Sequence, residues 1–132
     1  MKITADTNVL LRVLLQDDPE QVLSAEQALG SASLVAFPLP CLCEVVWVLD
    51  RSYGIGRAEI AEALEVLLSA PNVATNRAAV DAGLSMLKAG GDFADGVIAF
   101  EGSWLGGETF VSFDKKAVTL ANMQGQKATL LH

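Results

Sequence analysis

The chain reads as an α/β protein, a three-layer arrangement in which a parallel sheet of about five short strands is flanked by helices. Three observations predict this. Short apolar strands alternate with longer segments of helical periodicity along the whole chain. One strand, Leu34-Val35-Ala36-Phe37, is a continuous apolar run, as the buried middle of a parallel sheet requires. Two strands end within two residues of an aspartate that leads into a helix, at Asp6 and Asp114. In open parallel sheets, sites gather beyond the carboxyl ends of strands, where these acids fall.

Lys2-Ile3-Thr4-Ala5 is a short strand, and Asp6-Thr7-Asn8 turns it into an apolar helix over residues 9–15. Asp17-Asp18-Pro19-Glu20 closes that helix and opens the next, with proline early in the helix and acids at its positive end. Residues 20–31 then place Val22, Ala25 and Leu29 inward. After the apolar strand, Pro38 and Pro40 punctuate the connection, and residues 41–49 form a helix whose only charge is Glu44. Tyr53-Gly54-Ile55-Gly56-Arg57 turns into an amphipathic helix over 58–70, with Ile60, Leu64 and Leu67 or Leu68 inward and Glu59, Glu62 and Glu65 outward. Pro71-Asn72-Val73-Ala74 reads as a marginal edge strand, and Asn76 as the cap of a helix running to Lys88. Gly91-Asp92-Phe93-Ala94-Asp95 opens the next helix, expected to run buried to Trp104 and to stop at Gly106-Gly107. Residues 108–112 are a strand, 115–121 a short helix and 128–131 the last strand. No repeat or interdomain linker interrupts this pattern, so residues 1–132 are expected to form a single domain.

Hydrophobic residues make up 52 % of the chain and charged residues 19 %, a globular composition. The net charge of −7 argues against a basic surface that coats nucleic acid. It leaves open an enzyme that meets nucleic acid through bound cations, which invert the local charge. Cys41 and Cys43 stand two apart on a helix and point to different sides, so they read as small buried hydrophobes in a reducing compartment. The opening Met1-Lys2-Ile3-Thr4-Ala5-Asp6 has no apolar signal-peptide core, and the longest apolar stretches fall well short of a membrane span, which points to a cytoplasmic protein with no membrane partner.

The chemistry lies with five acids. Asp6 and Asp114 stand at strand ends. Asp92 and Asp95 stand three apart at a helix start, on nearly the same face. Glu44 has Pro40, Cys41, Trp47 and Val48 as helical neighbours, where a carboxylate is costly unless it pairs with Arg51 or opens to water. Asp6 and Asp92 also fit helix caps. Carboxylates gathered at about 4 Å repel by several kcal/mol each at an effective dielectric near 20, and persist only with protons or a cation among them. All-oxygen ligation suits Mg²⁺ or Mn²⁺, ions that can activate water for in-line displacement at phosphorus. Other hydrolytic routes lack their residues. His132 is the only histidine, no phosphate-binding loop with a lysine follows a strand, and Asn8 breaks an Asp-x-Asp pattern after Asp6.

The run Ala5-Asp6-Thr7-Asn8-Val9-Leu10-Leu11-Arg12, the helix Glu44-Val45-Val46-Trp47-Val48-Leu49, the stretch Asp92-Phe93-Ala94-Asp95-Gly96-Val97-Ile98-Ala99 and Ser112-Phe113-Asp114 together resemble a PIN domain. More closely, they resemble the VapC-type ribonuclease toxins of prokaryotic toxin–antitoxin pairs. The resemblance covers essentially the whole chain in order and spacing. It implies a PIN-like α/β/α fold, an acidic pocket for Mg²⁺ or Mn²⁺, and hydrolysis of RNA phosphodiester bonds by a metal-activated water. A homodimer and a cognate antitoxin that occludes the pocket are implied as well. By the same resemblance Asp6, Glu44 and Asp95 hold the main metal, Asp114 is a more variable fourth acid and Asp92 an auxiliary one. Thr7 or Asn8 and Ser112 would orient those acids through hydrogen bonds. Arg12, Lys115 and Lys116 are open to either of two readings, as phosphate contacts or as solvated surface. Gly96 stands where alanine is common, a change expected to cost about 1 kcal/mol of helix stability and to loosen the Asp92–Asp95 pair. The alternatives are a PIN-like nuclease acting in RNA processing or on structured DNA, and a PIN-like protein that binds a partner without cleaving.

Overall fold

The computed structural model describes residues 1–132, with seven helices and five strands. They fall into two compact units, Met1–Asn76 and Arg77–His132.

In the first unit, strand β1 (Lys2–Thr4) pairs in parallel with β2 (Leu34–Ala36), and β2 with β3 (Val73–Ala74). Ile3 lies opposite Val35, and Val35 opposite Val73. The apolar β2 is the middle strand, and Val35 is buried. The two-residue β3 is the edge that its weak sequence signal suggests. Helices α1 (Thr7–Leu15) and α2 (Pro19–Ser31) connect β1 to β2, and α3 (Leu39–Arg51) and α4 (Arg57–Leu68) connect β2 to β3. Leu10, Leu42, Val45, Leu49, Ile60 and Leu64 are fully buried, at the three- and four-residue spacing of helices that each commit one face to a core. Helix α3 starts two residues before the expected position, because Pro40 falls in the first turn, where its missing N–H leaves no helical bond unmade. Asn72 closes the end of α2, its Nδ2 donating to the carbonyls of Leu29 and Ala32 at 2.9 and 3.0 Å.

The second unit is built on the helix pair α5 (Arg77–Lys88) and α6 (Phe93–Trp104), with strand β4 (Phe110–Ser112), helix α7 (Lys115–Met123) and strand β5 (Ala128–Leu130). Strands β4 and β5 pair in parallel, Phe110 opposite Ala128. Met86, Leu120 and Ala121 pack there against Phe110 and Ala128.

Gly96 corrects an expectation. A Cβ at this position would collide with the carbonyl oxygen of Ala82 and lie 2.8 Å from the Cα of Gly83. A Cβ on Gly83 would in turn lie 2.7 Å from the ring of Phe93, which is 1 % exposed. Glycine at 96 therefore brings the backbone of α6 directly onto α5 and fixes the helix start that carries Asp92 and Asp95. Far from loosening that pair, it anchors it.

All five expected strands are present and all their pairings are parallel, in an architecture of α/β class. Their ladders close as a set of three and a set of two, one in each unit. Helix α6 differs from the sequence reading in one respect. Its buried stripe is Phe93, Gly96, Val97 and Ala99, whereas Ile98 and Trp104 face solvent, as single apolar residues on a surface commonly do. No helix is long and apolar enough to cross a membrane.

Candidate active site

Asp6 ends the first strand and caps α1. Its backbone is extended (φ −93°, ψ 164°), and its Oδ1 accepts the backbone N–H of Asn8 at 2.9 Å. The contact from Asn8 is thus made by the main chain. The Thr7 side chain shares a hydrogen bond with the Cys41 thiol, at the start of α3. Glu44 follows Cys41 by one helical turn. It is exposed, and Arg51 places its Nε 3.6 Å from Asp50 rather than on Glu44. The apolar neighbours of Glu44 in sequence do not bury it: this face of α3 opens to water, and Trp47, one turn further on, is 58 % exposed. The desolvation cost anticipated from sequence is therefore avoided by position, without a partner.

Cys41 registers how close these groups lie. Burial pushes its thiol pKa up, the Thr7 hydrogen bond opposes the rise, and the carboxylates of Asp6 and Glu44 push it further up. Two acids 38 positions apart in sequence thus act on one buried thiol. Sequence reasoning treated Cys41 as filler. Its three-residue spacing from Glu44 was the available signal that it borders the site.

The second unit holds the other three acids. Asp114 follows β4 and caps α7, its Oδ1 accepting the N–H groups of Lys116 at 3.0 Å and Ala117 at 3.2 Å. Ser112 orients this turn by accepting the N–H of Asp114 on Oγ at 2.9 Å. Asp92 occupies the same cap position on α6, with extended backbone (φ −95°, ψ 132°), yet its carboxylate accepts no N–H of that helix. Asp95 lies half-buried three residues later. Its carboxyl pKa is raised, first by desolvation, then by the charge of Asp92, then by that of Asp114. These acids are within electrostatic reach of one another, and nothing in the unit compensates Asp95.

Within neither unit do three ligating side chains already stand as a formed metal site. The donor chemistry nevertheless fits a hard divalent cation. Every candidate is a carboxylate, and one of them is destabilised as an anion by burial and by its acidic neighbours. Of the basic residues, Arg12 is engaged, its Nη1 lying 2.9 Å from Asp17.

Residues 3–122 match the PIN domain family, and the chain belongs to that family. PIN domains are generally metal-dependent nucleases, hydrolases of nucleic acid, and seven helices with parallel sheets are consistent with their α/β/α architecture. Among curated proteins, none matches the sequence.

Proposed function

We propose that this PIN protein is a metal-dependent endoribonuclease, the toxin of a toxin–antitoxin pair. The observation that carries the reading is Asp95, a half-buried carboxylate pushed toward protonation first by desolvation and then by the charges of Asp92 and Asp114. An acid held under that strain suits a cation better than it suits a merely structural role. Asp6, Glu44, Asp95 and Asp114 are the proposed ligands of Mg²⁺ or Mn²⁺, with Asp92 auxiliary. When bound, such an ion supplies positive charge to the phosphodiester and makes water a stronger nucleophile at neutral pH.

The chain's own contribution is to hold these acids in place. Asn8 fixes the Asp6 carboxylate through its N–H, while Lys116 and Ala117 do the same for Asp114. Ser112 sets the turn on which Asp114 stands, and Thr7 is tied to Cys41. The substrate in this reading is RNA. The partners are a cognate antitoxin and a second copy of the chain, and the compartment is the cytoplasm. The family match runs through the boundary between the two compact units, which supports reading residues 1–132 as one PIN domain.

The test is cleavage of cellular RNA by purified protein in Mg²⁺, Mn²⁺ or EDTA, with Asp6→Asn alongside. Cuts that need metal and vanish in the variant are expected. Absence of cleavage by folded wild type in either metal would overturn the reading and leave partner binding without catalysis as the better account.

A further inference from the structure

The acids assigned above repel the phosphates they must meet, and the chain as a whole carries a charge of −7. Away from the bound cation, a nucleic-acid strand therefore gains from cationic side chains close to those acids. Arg12 is paired with Asp17, whereas Lys115 and Lys116 are exposed and neither ammonium pairs with a carboxylate. Lys116 is distinguished by where its side chain lies. From the first turn of α7 it reaches the α5–α6 connection, with Nζ 3.8 Å and Cε 3.9 Å from the point a Cβ would occupy on Gly90. Gly90 has φ +99° and no side chain, so the lysine stem lies on bare backbone two residues before Asp92. The N–H of the same residue holds Asp114. Lys116 thus stands beside the acids of the second unit and neutralises none of them.

We infer that the Lys116 ammonium binds a backbone phosphate of the substrate strand next to the cleaved bond, an inference that rests on the nuclease reading above. A lysine offers a compact charge with three donors, which holds a phosphate without reading a base. The competing role is structural, since Lys116 also lies near the C-terminal end of α5, where a cation complements the helix dipole. That role moves thermal stability and leaves RNA binding alone.

The experiment compares wild type with Lys116→Gln, Lys116→Arg and Lys127→Gln. Lys127 gives the same change in charge just before β5, at the opposite end of the β4–β5 ladder from Asp114. In steady-state cleavage of single-stranded RNA, Lys116→Gln raises KM about tenfold with kcat nearly unchanged, as loss of one charged hydrogen bond predicts, and Lys116→Arg largely restores it. In an Asp95→Asn background, which spares the RNA, anisotropy of a fluorescein-labelled single-stranded RNA in Mg²⁺ is followed across salt concentrations. The slope of log K against log salt becomes shallower by about 0.7 for one lost phosphate contact, and Lys127→Gln leaves it unchanged.

An unchanged KM and slope in Lys116→Gln overturns the inference, as does an equal effect in Lys127→Gln or a fall in Tm alone. If wild type cuts RNA and the slope does not move, only this inference fails. If wild type cuts nothing and the slope still falls, the nuclease reading fails and the phosphate contact stands.

Discussion

Helices α6 and α7 both begin on an aspartate with extended backbone, and they use it in opposite ways. Asp114 accepts two N–H groups of α7, so the helix end stabilises its charge. Asp92 accepts none from α6, and its charge, with that of Asp114, adds to the desolvation that raises the pKa of the half-buried Asp95. What fixes the start of α6 is packing: Phe93 buried against Gly83, and Gly96 set on the backbone of Ala82 and Gly83. The same residue type at the same helical position can thus be satisfied by its own helix, or left for another charge because steric fit has taken over the structural role.

The largest effect that tests this contrast is expected at Asp95. Replacing a ligand of the proposed metal should lower activity at least as much as the 10- to 100-fold typical of groups that only support ligands, so Asp95→Asn is expected to cost about 100-fold or more in kcat/KM. The same variant should melt no lower than wild type without metal, because it removes a desolvated and repelled charge. An Asp95→Asn protein that stays active, or one that loses stability, would refute the proposed division of labour. The pH dependence has a fixed sign. A carboxyl whose folded pKa lies above its unfolded value contributes stability that is full below the unfolded pKa and is lost as pH rises through the raised one. In metal-free urea titrations across the acidic range, wild type should lose this contribution with rising pH and Asp95→Asn should not.

Next in size is Gly96→Ala. Overpacking against main chain is expected to cost about 1–3 kcal/mol, read as a lower urea midpoint with an unchanged slope, despite the better helix propensity of alanine. A stabilised Gly96→Ala protein would return α6 to the simple propensity argument. The smallest effects sharpen the comparison most directly. Asp114→Ala removes a functioning cap and should lower stability by about 1 kcal/mol, whereas Asp92→Ala, at a cap position without a cap bond, should change it by no more than about 0.5 kcal/mol. Equal losses at the two positions would mean that Asp92 caps its helix after all.

Much of this was legible in the chain. The β2 run, the strand-to-helix aspartates and the four-residue spacing of Ile60, Leu64 and Leu68 follow from local periodicity, and the elements formed where those patterns place them. What local pattern could not carry was relation between segments. Glu44 reads as a costly acid in an apolar helix until the fold turns its side to water together with Trp47. Gly96 reads as a weak point until α5 arrives against it, and Asp92 reads as a cap because nothing in sequence tells an occupied cap position from a made cap bond. Each of these turns on which surface a second element covers, a tertiary fact that residue order encodes only indirectly.

The contact between α5 and α6 also sets unequal limits on how this sequence can drift. At Gly83 the obstacle is the Phe93 side chain, so a smaller residue at 93 makes room for a larger one at 83, and the two positions can change in company. At Gly96 the obstacle is the main chain of Ala82 and Gly83, which no exchange of side chains removes. Descendants of this chain can trade volume between 83 and 93 while 96 stays fixed unless a whole helix shifts, and any such shift would carry Asp92 and Asp95 with it.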